Sequence, residues 1–194
     1  MWVDNLRNFE GGKIVIERIR YVNNVVPSDY TIASLVDALA STDGVERHTA
    51  REQLEETGRP AVPFLLRALQ SPSEHARWEA AKALGKITDP SAAPALVRTL
   101  EDEKAAVRWL AATALISLGR DALVPLLRGL EGNSDSIWFR DGAHHVLRSL
   151  IRDGVADEAI PVLEALENLE PCIEAPIAAY HVLEDLRGGG EANT

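Results

Sequence analysis

The sequence predicts an all-α protein, a right-handed α-solenoid of about five helical hairpins. Three observations predict it. The stretch RWEAAKALG at 77–85 is echoed at 108–119 by RWLAATALISLG, tryptophan included. Anchor leucines recur every thirty-odd residues along two interleaved series. Apolar residues make up 46% of the chain but aromatics only 5%, so alanine and leucine supply the core and favour helices packed at close range.

One series of anchors is Leu39, Leu69, Leu100, Leu130 and Leu166, each with Leu or Val four residues earlier. The segments IASLVDAL, VPFLLRAL, APALVRTL, LVPLLRGL and IPVLEALE are one template, a first helix with an early proline in most copies. Proline is tolerated there because the first-turn amides have no helical acceptor. The other series is Leu54, Leu84, Leu115, Leu147 and Leu183, with Ala50, Ala80, Ala111, Ala143 and Ala179 four residues before. Seven residues before the first four stand Arg47, Arg77, Arg108 and Arg140; the fifth copy has Pro176. This is a second, Ala-rich helix whose small residues let neighbours approach. Gly58, Gly85 and Gly119 are expected just past its end, as left-handed caps, with Pro60 and Pro90 barring continuation.

One hairpin cannot bury its apolar faces alone, whereas stacked hairpins can. The expected units are 31–58, 59–88, 89–119, 120–153 and 154–187. Residues 1–30 do not fit the template. Their KIVIERIRYV segment suits either a β-branched helix or a strand, and a helical cap over the solenoid end is the favoured reading. Residues 188–194, GGGEANT, read as a disordered tail.

The motif Val-Arg-x-x-Ala-Ala-x-Ala-Leu, complete in AVRWLAATALISLG (106–119) and close in HARWEAAKALG (75–85), resembles the HEAT-repeat family. The period of about thirty-one residues resembles its short-repeat subclass, the bilin-lyase-like (PBS-lyase) HEAT repeats. The resemblance spans residues 31–187. It implies that second helices line a concave face and that each ladder arginine pairs with an acid or carbonyl of the inter-helix turn. Asp102 would then lie near Arg108 and Asp135 near Arg140, while Ser41 and Ser71 hold the matching places before Arg47 and Arg77.

Thirty acidic and twenty basic residues give a net charge of −10, which argues against a duplex nucleic-acid binder. Cys172 is the only cysteine, so an intramolecular disulfide and a cysteine zinc site are excluded; it reads as a small buried apolar group. No continuous apolar run reaches membrane-spanning length. The N-terminal residues lack the basic-then-apolar order of a secretory signal. A cytoplasmic protein is expected.

Positions six and two before each second-helix anchor share a face one turn apart. The first row is His48, Trp78, Trp109, Asp141 and Ile177; the other is Glu52, Lys82, Thr113, His145 and His181. Trp78 and Trp109 are expected about one helix spacing apart, roughly 8–10 Å, forming an apolar platform rimmed by Lys82, Glu79, His48 and Asp141. Trp138 is expected to pack the longer turn before the fourth second helix. The repeated arginines read as structural, since a catalytic group is needed once. The five histidines form no converging ligand set, and no catalytic constellation, metal site or cofactor site emerges. The expected function is a non-catalytic scaffold holding a protein or peptide on the concave face of the solenoid, with no nucleic acid or membrane. Weaker alternatives are a bilin-binding lyase or chromophore chaperone, with Lys82 or His145 meeting propionates, and a DNA-binding solenoid.

Overall fold

The computed structural model describes residues 29–191, with side chains from 31 to 188. Among the described residues there is no strand. The first pair of helices is α1 (Asp29–Ala38) and α2 (Gly44–Thr57), the second α3 (Val62–Ala68) and α4 (Glu74–Ile87). Then come α5 (Ala93–Thr99) with α6 (Ala105–Leu118), and α7 (Leu123–Asn133) with α8 (Ile137–Arg152). The last pair is α9 (Ile160–Glu167) and α10 (Pro171–Glu191). Single 3₁₀ turns lead into each first helix after α1, at 59–61, 90–92, 119–122 and 157–159. The protein is an all-α solenoid.

The repeated turn inside each hairpin follows from a few polar atoms. Ser41 Oγ, Ser71 Oγ and Asp102 Oδ1 each accept the amide two residues on, of Asp43, Ser73 and Lys104. Asp43, Ser73 and Ser136 then cap α2, α4 and α8 by accepting a first-turn amide. These bonds satisfy donors that a helix start would otherwise leave orphaned.

Helix ends correct one expectation. Gly58 at φ 70 and Gly119 at φ 61 do cap α2 and α6. Gly85 lies inside α4, and the matching cap is Thr88, left-handed at φ 54. Gly85 has a packing role instead: a Cβ there would come within 2.9 Å of Ala114 Cα and Cβ on α6. The missing side chain is what lets α4 and α6 approach so closely.

The core is built from the two anchor series. Ala50, Ala80, Ala111 and Ala143 are fully buried, as are Leu54, Leu84, Leu115 and Leu147. Each such leucine contributes about 1.5–3 kcal/mol by leaving water. The second helices stack in one row, α2 on α4, α4 on α6, α6 on α8. In the first-helix row α1 meets α3 and α5 meets α7.

The fifth hairpin breaks this order. It is turned over: α10 packs on α7 as well as on its own partner α9, and α9 lies against α8. His144 of α8 and Glu167 of α9 meet at 2.9 Å across that second contact. The link before α9 is pinned by Arg120, which donates to the Val155 carbonyl at 3.0 Å and pairs with Glu158 at 2.6 Å. Ile177 and His181 therefore do not continue the rows of the first four second helices, as the periodicity suggested. Pro176 is the sequence correlate: without an arginine, α10 cannot make the anchoring bond that the other second helices make.

Three smaller expectations change. The helix α10 runs on through Glu191, so residues 188–191 are helical rather than a tail. Cys172 is half-buried rather than buried. Ala105–Asn133 is apolar and long enough in total to cross a membrane, but it is two helices divided by Gly119, and half of its apolar window is buried in the protein. The expectations for residues 1–28 and 192–194 lie outside the described residues.

Candidate polypeptide-binding face

The arginine ladder fixes the start of each second helix. Nη1 of Arg47, Arg77, Arg108 and Arg140 donates to the carbonyl six residues upstream, of Ser41, Ser71, Asp102 and Ser134, at 2.8, 3.0, 2.7 and 2.6 Å. Because the acceptor is backbone, serine serves as well as aspartate at that place. The carboxylate of Asp102 does not serve Arg108. It takes Arg77 of the preceding hairpin in a two-pronged pair, 2.6 Å to Nε and 3.1 Å to Nη2. That hydrogen bond raises the Arg77 pKa still further above its ordinary value. Arg140 likewise rests on the Ser134 carbonyl, not on the Asp135 side chain expected near it.

Glu79 was expected on the rim of the platform. It is buried, 5% exposed, between α2 and α4. Its carboxylate accepts from Arg51 Nε at 2.9 Å and lies 3.6 Å from Arg47 Nε. Arg51 is also buried and bonds Glu55 and His48 Nδ1. Arginine has only donors, so Nδ1 of His48 must accept. A neutral His48 then carries its proton on Nε2, which faces Glu52 at 3.4 Å. Row phase gives no sign of this ionic cluster: Arg51 stands where the next two copies have Ala81 and Ala112, and Glu79 where the flanking copies have Thr49 and Leu110.

The remaining row residues lie on the second helices α2, α4, α6 and α8. His48, Glu52, Lys82, Thr113 and Asp141 are exposed, and Trp78 and His145 are half-buried. The two tryptophans do not stack on each other. Lys82 Nζ sits 4.8 Å above the Trp78 ring, its own neighbour one turn along α4. Trp109 stacks on His145 of the next helix, centroids 4.9 Å apart and planes 30° apart, and remains 60% exposed. Each cation near an indole face gains a quadrupole attraction of about 0.5–1 kcal/mol at such exposed sites.

Trp138, at the start of α8, extends the aromatic surface. Its ring lies 4.5 Å from the Arg108 guanidinium carbon and is half-exposed, as is Ile137 beside it. The chain neighbours Arg108 and Trp109 thus each meet an α8 ring, Trp138 and His145. Trp109, Trp138 and Ile137 are thus three large apolar side chains left in water on α6 and α8. Among the described residues no group of three or more His, Cys, Asp or Glu side chains is placed to hold a metal ion.

No curated protein matches the chain. A family model described as HEAT repeats matches residues 32–116, from within α1 to near the end of α6. That match supports the HEAT-repeat family for this chain, over the three hairpins in which the arginine ladder, the buried alanines and the anchor leucines recur most regularly.

Proposed function

We propose that the protein is a non-catalytic scaffold that holds a partner polypeptide on its concave face, the face lined by the second helices α2, α4, α6 and α8. HEAT repeats are generally protein-interaction scaffolds. The observation that carries the reading is Trp109, an indole left 60% in water while stacked on His145 of the adjacent helix. Holding the ring in one orientation before a partner arrives reduces the entropy lost on binding. Tryptophan anchors of this kind dominate interface energetics. Lys82, His48, Glu52 and Asp141 supply a polar rim of both signs.

The test is a Trp109→Ala/His145→Ala variant, whose side chains support no buried core. Partner recovery should fall about ten-fold or more relative to wild type at equal protein concentration, with an unchanged helical spectrum. Recovery equal to wild type would remove the platform. Adding bilin to the wild type should leave its absorbance spectrum unshifted, which separates this reading from the chromophore-binding one.

A further inference from the structure

The net charge is not spread along the chain. Residues 153–188 hold nine of the thirty acidic side chains and one of the twenty basic ones, so −8 of the −10 falls on the turned-over hairpin. The second observation concerns α10. Ile173, Ile177 and Tyr180 are each more than half exposed, at the i, i+4, i+7 spacing of one helix face. The turn before the helix adds Leu169, which is wholly in solvent. The third is a cleft of about 470 Å³ between α9 and α10, with Pro161, Ile177 and Val182 on its apolar side and Glu164, Glu174 and Asp185 on its charged side. His181 is its one basic side chain.

We infer that the α9–α10 face is a second docking surface, distinct from the Trp109 face, and that its occupant is a basic amphipathic helix of another polypeptide. An exposed apolar stripe at helical spacing beside a groove is the surface onto which an amphipathic helix lays its own apolar side. The carboxylates fix the sign of the occupant's flanks. Glu164 and Asp185 have no cationic partner among the described residues, whereas Glu158 is neutralised by Arg120 and Glu174 accepts a bond from Asn168. An incoming Lys or Arg therefore replaces no existing pair at those two positions. An acidic helix would meet repulsion there, and a neutral one would desolvate the carboxylates without compensation. The turned-over packing provides the surface: with α10 held against α7, Ile173, Ile177 and Tyr180 stay exposed among the described residues.

The test uses the full chain and a fluorescein-labelled eighteen-residue helical peptide with leucines at i, i+4, i+7 and i+11 and lysines flanking them. Anisotropy should saturate, and the affinity should weaken as salt rises. A peptide with glutamate for every lysine should not bind. Glu164→Lys/Asp185→Lys and, separately, Ile177→Ser should each weaken binding about ten-fold, and Trp109→Ala should not change it. All these positions are exposed or half-exposed, and thermal melts report their folding. If a variant fails to fold, competition of the wild-type complex by unlabelled peptides decides: the leucine-to-serine version should not compete. The inference falls if wild type shows no saturable binding, if the double charge swap binds equally, or if the serine peptide competes as well as the leucine one. Loss of binding in Trp109→Ala would mean that the peptide sits on the other face, and would also overturn it.

Discussion

Thr88 occupies the place that glycine holds in the flanking hairpins, Gly58 and Gly119, and adopts a left-handed conformation at φ 54. A β-branched residue pays about 1–2 kcal/mol there. Thr88→Gly should therefore raise the unfolding free energy, by about 1 kcal/mol after the extra chain entropy of glycine is subtracted. A urea melt checks it, and a loss of stability would mean that the threonine hydroxyl matters more than the backbone. The Arg51–Glu79 pair gives a sharper case. Both side chains are buried, so Glu79→Ala removes one of the two carboxylates that hold Arg51, leaving only Glu55, and should cost about 1–3 kcal/mol. The corresponding positions one hairpin on are Ala81 and Leu110. The double variant Arg51→Ala/Glu79→Leu should recover most of that loss, because the equivalent positions are apolar and join the core one hairpin on. Failure of the double variant to recover would show that the cluster does more than fill space. Reading the sequence by rows placed Glu79 on the rim because it follows Trp78. Burial is decided by the facing helix, and only α2, with Arg51, reveals it.

At the scale of the element, most of the solenoid was legible. Leucine and alanine at four-residue offsets named the buried face of the second helices in the first four pairs, and those leucines and alanines are in the core. Helix ends were less legible, since Gly85 sits one residue past an anchor leucine and resembles a cap. Gly→Ala inside a helix ordinarily gains about 0.5–1 kcal/mol. At Gly85 the new methyl would meet the Ala114 backbone at 2.9 Å, so Gly85→Ala should instead lose about 1–3 kcal/mol by forcing α4 and α6 apart. Thermal unfolding of the variant gives the sign directly, and a gain would mean that the close approach is not required. The turned-over fifth hairpin was hidden for another reason. Period and phase repeat well enough to suggest a fifth copy, yet the side of α7 and α8 on which it lands depends on the link from Arg152 to Asp157. The longer spacing of 36 residues and the exchange of arginine for Pro176 were its only traces.

At the scale of the whole molecule, the two candidate surfaces have opposite logic. The face of α2, α4, α6 and α8 is aromatic with a rim of mixed charge, and its continuity ends at His145 because α10 has left the row. The α9–α10 face carries two isoleucines and a tyrosine beside a strongly acidic cleft. The composition total of −10 concealed that difference, because an average over the chain carries no position. The tryptophans were legible as candidates from their phase, whereas the Trp109–His145 stack required knowing how α8 sits beside α6. The most direct test of the scaffold reading places a photoreactive benzoylphenylalanine at Thr113, exposed one turn along α6 from Trp109, and a control at Glu131, exposed on α7. Irradiation in a lysate of the native host should give a discrete polypeptide adduct from position 113 that disappears when Trp109→Ala is added. An adduct only from position 131, or one from 113 that persists without the indole, would contradict it.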